Sequence, residues 1–98
     1  RYAGAELAVV LPDTFAADGV QVAERLRSLV TAAAARTKSA ATTRPRVTIS
    51  VGVAGIHESE KSAEELLHAA DLALKEAKDR GRDAVVAFVD LKLPTARA

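Results

Sequence analysis

Residues 47–54 read VTISVGVA, and the alternation is strict. Val47, Ile49, Val51 and Val53 fall on one side of an extended chain, and Thr48, Ser50 and Gly52 on the other. Successive side chains of a strand point to opposite faces, so a period of two predicts a strand with one buried face. It is the clearest strand in the chain, and the segments on either side decide what it packs against.

Downstream, Ser62-Ala63-Glu64-Glu65 has the form of a capping box. Leu66, Leu67, Ala70, Leu74 and Ala77 then trace a helical stripe that ends at Gly81, a residue suited to closing a helix. AVVAFV, Ala84 to Val89, follows as a last buried strand. Upstream, Val22, Leu26, Leu29, Val30 and Ala33 recur at helical steps while Glu24, Arg25 and Arg27 fall elsewhere. This predicts an amphipathic helix over Ala17–Ala35. Gly19 near its start costs about 1 kcal/mol relative to alanine and loosens the first turn.

Ahead of that helix, LAVVL at Leu7–Leu11 is a continuous apolar run stopped by Pro12. The run suits a strand buried on both faces, and Asp13 or Thr14 is placed to cap the helix after it. RTKSAATTRPR, Arg36 to Arg46, reads as a solvated connector; the other reading, a phosphate-binding arm, lacks the aromatic residues that would stack on bases. The order is turn, strand, helix, strand, helix, strand. The domain covers residues 1–90, and 91–98 is a tail or linker.

The chain has 98 residues, enough for one domain with a modest core. A net charge of +1 with both signs interleaved gives no general attraction to nucleic acid or an anionic membrane, and no apolar run approaches a membrane span. Cysteine is absent, which rules out disulfides and thiolate metal sites and suits a reducing cytoplasm. Methionine is also absent, and the bulky Arg1 at the start predicts a piece of a longer polypeptide.

Several stretches together resemble the GGDEF domain family, the diguanylate cyclases that condense two GTP molecules into cyclic di-GMP. RYAGAEL followed by AVVLP stands where the family has RYGGDEF and a strand ending in LP. AERLRSLV at Ala23–Val30, VTISVGVA at Val47–Ala54 and AADLALKEAKDRGRDAVV at Ala69–Val86 follow in the family's order. The resemblance implies a palm-type, ferredoxin-like α/β fold, with helices packed on a mostly antiparallel sheet that is incomplete on its N-terminal side. In the family, a strand with a metal-binding aspartate, two helices, guanine-recognising residues and the inhibitory R-x-x-D element precede the signature.

The signature here is degenerate: Ala3, Gly4, Ala5, Glu6, Leu7. The family's Mg²⁺ is held partly by the third signature residue, and a methyl group at Ala5 cannot ligate it. Each ~1.4 kcal/mol of lost transition-state stabilisation costs about a factor of ten, so a missing ligand implies a rate lower by orders of magnitude. Glu6 is a weak metal candidate, because an adjacent side chain on an extended strand faces the other way. Ala3 adds a Cβ that crowds a nucleotide, while the retained Gly4 is by resemblance a nucleotide-binding position that also keeps the turn flexible; a plain hairpin turn is the simpler reading.

Lys78 and Arg82 match family positions that hold nucleotide phosphates, and both side chains suit phosphate oxygens. They also sit where cations complement a helix C-terminus. His57 and His68 have no partner at ligand spacing and read as surface or packing residues. The resemblance implies an inactive, regulatory GGDEF-like domain with weak GTP binding, in a bacterial cyclic di-GMP protein beside a sensor or EAL domain. Two alternatives stand: an active cyclase in the intact parent, and a purely structural module that dimerises. The family's first strand would lie between Leu7–Leu11 and Val47–Ala54. Without it, the two strands are expected to collapse together or to borrow a strand by exchange with another copy.

Overall fold

A computed structural model of the chain describes residues 6–36, 47–55 and 62–90. Helix α1 spans Ala16–Arg36, strand β1 Val51–Val53, helix α2 Ala63–Asp79 and strand β2 Val85–Ala87, with a 3-10 turn at Phe88–Asp90. β1 and β2 pair in parallel, Val51 opposite Val85, Gly52 opposite Val86 and Val53 opposite Ala87. The Val51 N–H also donates to the Ala84 carbonyl at 2.9 Å, one residue ahead of the ladder. α2 is the crossover that parallel strands require. The mixed α/β class is as expected, but the expected antiparallel, ferredoxin-like sheet is not what the described residues form.

The two helices cover opposite faces of this sheet. A methyl group added at Gly52 would meet the backbone of α2, whereas the side chain of the next residue, Val53, lies against Gly19 of α1. The smallest residues therefore face inward. Ala16, Gly19 and Ala23 are the buried positions of α1, and Ala69, Ala73 and Ala77 those of α2. Ala73, Ala77 and Val86 form the buried cluster, with Ala84 and Phe88 packed against it. Small side chains let backbones approach closely, and close approach substitutes here for a core of large residues.

That geometry corrects the expected face of the first helix. Val22, Leu26 and Leu29 are 40%, 42% and 54% exposed while Val30 is half-buried, so most of the large apolar stripe lies outward and the alanine and glycine stripe points in. Gly19 does not loosen the first turn. It is helical and buried, and its missing side chain leaves room for the Val53 Cγ1 atom. β1 is shorter than the alternating run that predicted it, and residues 48–54 are all half-buried, because both faces of the sheet are covered.

The run Leu7–Leu11 is not a buried strand. It has no regular structure, and Leu7, Val9 and Val10 are 76%, 68% and 83% exposed. A strand exists only where its backbone finds a ladder partner, and among the described residues β1 pairs with β2 alone. The expected collapse of Leu7–Leu11 onto Val47–Ala54 does not occur. The cap is displaced as well. α1 opens after Phe15, whose carbonyl accepts from Asp18 and Gly19, while the Thr14 hydroxyl donates back to the Pro12 carbonyl across Asp13, which has φ 54°.

The second helix begins as read. The Ser62 Oγ accepts from the Glu65 N–H at 3.1 Å. Ser62→Ala is expected to lower stability by about 1 kcal/mol, measured as a lower urea midpoint with unchanged slope. The last strand is shorter than Ala84–Val89, since Phe88–Asp90 turns into the 3-10 segment. No helix among the described residues is long and apolar enough to cross a membrane.

Candidate functional site

α2 ends in a run of conformations that determines where its basic residues point. Arg80 caps the helix, and Gly81, Arg82 and Asp83 follow with φ of 108°, 67° and 51°. The Gly81 N–H donates to the Lys78 carbonyl at 3.2 Å and the Arg82 N–H to the Ala77 carbonyl at 3.0 Å. These two bonds make a Schellman motif, the ending that glycine at this position favours. Gly81 adopts its φ freely. Arg82 and Asp83 do so at a steric cost, which asparagine and aspartate bear better than most residues.

Asp83 is held by two residues, Ser50 and Arg27. Its N–H donates to the Ser50 Oγ at 3.1 Å, the Arg27 Nη1 donates to its carboxylate at 2.8 Å, and the same Nη1 lies 3.4 Å from its carbonyl. Arg27 is itself oriented by Glu24, one turn back on α1, through Nε at 3.0 Å and Nη2 at 2.9 Å. The hydrogen bond that Arg27 donates to Asp83, and then that to Glu24, raise the Arg27 pKa above its already high ordinary value.

Lys78, half-buried in the last turn of α2, meets Glu6: Nζ to Oε2 is 3.0 Å. Parity along a strand placed the Glu6 carboxylate away from the chemistry. Glu6 instead turns onto one of the two candidate phosphate ligands, and the residues after it are not in a strand. Arg82 is exposed. Ala3, Gly4, Ala5 and His57 lie outside the described residues, and His68 is on the exposed side of α2. Leu7, the last signature residue, points to solvent.

Among the described residues no three His, Cys, Asp or Glu side chains gather as a metal site would require. Among the described residues Glu6 is the one carboxylate paired with Lys78, and it is engaged by it, so these residues alone do not make a Mg²⁺ site. Arg27, Ser50 and Asp83 escaped the sequence reading. Their one signal was an aspartate directly after Gly81-Arg82, a residue type tolerant of positive φ.

The family profile described as "Diguanylate cyclase, GGDEF domain" matches residues 1–84. The chain belongs to the GGDEF domain family, a class of cyclic di-GMP signalling domains. It is 40% identical over 86 residues to the response regulator PleD of Caulobacter vibrioides, covering 88% of this chain and 19% of that protein. It is 36% identical over 85 residues to diguanylate cyclase A of Treponema denticola, covering 87% of this chain and 22% of that one. The uncharacterized protein YtrP of Bacillus subtilis is 39% identical over 93 residues, 94% of this chain and 14% of its own length. The chain thus spans about a fifth or less of the curated relatives it matches. No solved structure matches it.

Proposed function

We propose that residues 1–90 are the C-terminal portion of a degenerate GGDEF domain that binds GTP weakly through the phosphates, using Lys78 and Arg82, and does not make cyclic di-GMP. The observation that carries this reading is the meeting of two signature stretches 72 positions apart: Glu6 of AGAEL pairs with Lys78 of AKDRGR at 3.0 Å. A basic helix end facing the signature segment suits a triphosphate. The Ala5 side chain offers no oxygen to Mg²⁺, which supports binding without turnover.

On this reading the domain is a regulatory module of a bacterial signalling protein, beside a sensor or EAL domain, with residues 91–98 as a linker. Its sheet would reach the ferredoxin-like, antiparallel palm only with strands beyond those described, supplied by the parent or by exchange with a second copy. The 98-residue polypeptide, incubated with GTP and Mg²⁺ or Mn²⁺, is expected to give no cyclic di-GMP by chromatography above a heat-killed control. Product above that control would overturn the inactive reading. A second reading, an active cyclase in the intact parent, is favoured by the position of Glu6, which brings an acid to the phosphate ligand despite Ala5.

A further inference from the structure

The turn that presents Arg82 is held by residues from two other elements. Three consecutive residues have positive φ, and two of them, Arg82 and Asp83, are not glycine. Such conformations persist only where the surroundings over-determine them. Up to Arg82 the helix end supplies this: the Arg80, Gly81 and Arg82 amides all donate to carbonyls of the last turns. The next amide, of Asp83, goes to Ser50 just ahead of β1, and the Asp83 carboxylate goes to Arg27 on α1.

We propose that Arg27 is a positioning residue for the phosphate site: by gripping Asp83, with Ser50 under its amide, it fixes the left-handed turn that aims Arg82. The proposal rests on the reading of Lys78 and Arg82 as phosphate ligands. Arg27 suits the task because a guanidinium is a rigid fork. Its Nε and Nη2 are fixed on Glu24 of its own helix, which leaves Nη1 aimed at Asp83, 56 positions away. Arg27 is only partly exposed, with 29% of its side-chain surface in solvent, so its direction is set by packing as well as by charge. Arg82, one residue before the grip, has its own backbone pinned at Ala77 and its side chain in solvent. Pinning on both sides leaves the side-chain torsions as the main freedom of Arg82. A preorganised ligand binds more tightly because less ordering is left to the moment of binding.

The clamp can be separated from the fold because glycine removes the carboxylate of Asp83 and the steric cost of its φ together. Asp83→Gly is therefore expected to keep the melting temperature of the parent chain while weakening GTP binding about tenfold, read by calorimetry at fixed Mg²⁺. Arg27→Gln is expected to weaken binding to the same degree and to speed hydrogen exchange at the Asp83 amide. The Arg27→Gln, Asp83→Gly double variant should be no worse than either single change, because both break one contact. Asp83→Asn, which accepts from Arg27 and tolerates the same φ, should retain most of the affinity. If Lys78→Ala and Arg82→Ala weaken binding while Arg27→Gln and Asp83→Gly do not, the clamp is overturned and the phosphate site stands. If the Asp83 amide stays equally protected in Arg27→Gln, the clamp is likewise overturned. If the parent chain binds no GTP, or Lys78→Ala and Arg82→Ala leave its affinity unchanged, the phosphate site falls and the clamp with it.

Discussion

Gly52→Ala is expected to destabilise this chain more than a methyl group added at any other of the described glycines. The added Cβ would stand 2.3 Å from the Ala70 carbonyl oxygen, 2.3 Å from the Leu74 nitrogen and 2.8 Å from the Leu74 Cα. All three atoms belong to the backbone of α2, so no side chain can swing aside. Either the helix distorts and loses hydrogen bonds, or β1 lifts away and opens the seam of Ala69, Ala73 and Ala77 beneath it. Overpacking usually costs 1–3 kcal/mol, and with backbone on both sides the expected loss is about 3 kcal/mol or more. Small domains hold only about 5–15 kcal/mol in total, so that is a large share. A melting temperature lower by roughly 12 °C or more by circular dichroism is the expected result, and a fall of under about 3 °C would show that the sheet does not press on α2.

Gly81→Ala is the control, since it changes a glycine for a different reason. Gly81 has φ 108° and open space around its missing side chain. Its cost is backbone strain alone, about 1–2 kcal/mol, and should stay well below that of Gly52→Ala.

The same contrast explains how far the sequence could be read. Hydropathy finds large apolar residues, and their spacing located both helices: α1 at Ala16–Arg36 lies within a residue of the predicted Ala17–Ala35, and Ser62 caps α2 as its motif says. Spacing does not report how closely two elements approach. Once Gly52 brings β1 onto α2, the inward positions go to the residues that leave room, Ala69, Ala73 and Ala77, and on α1 to Ala16, Gly19 and Ala23. Val22, Leu26 and Leu29 satisfied the periodicity and still lie outside. LAVVL had the composition of a strand, but pairing is a property of two segments, and composition describes one. At the candidate site, Lys78 and Arg82 were singled out by the resemblance of AKDRGR to the family's phosphate-holding stretch. The contacts that orient them, Glu6 with Lys78 and Arg27 with Asp83, join residues 72 and 56 positions apart and leave no local trace.

Removing the two cations is expected to have the largest effect on ligand binding, and the effect should differ between them. A hydrogen bond to a charged group contributes about 1.5–3 kcal/mol, so Lys78→Ala with Arg82→Ala should weaken GTP binding by about a hundredfold or more. Lys78→Ala should cost more than Arg82→Ala, because it also leaves the Glu6 carboxylate unpaired beside the incoming phosphates. That asymmetry gives Glu6→Gln its use. Without Mg²⁺, Glu6 competes with phosphate for Lys78 across a half-exposed ion pair, a contact that contributes at most about 1 kcal/mol. Releasing Lys78 should therefore tighten metal-free GTP binding by up to about fivefold. With Mg²⁺ present, the two readings of the site diverge in sign. If Glu6 only occupies the lysine, Glu6→Gln improves affinity in both conditions. If Glu6 holds the metal against the phosphates, as the active-parent reading requires, the variant loses the gain in affinity that Mg²⁺ confers. Calorimetric titrations of the parent chain and Glu6→Gln, each with and without Mg²⁺, decide between them. Weaker binding by Glu6→Gln in the absence of metal would overturn the competition between carboxylate and phosphate.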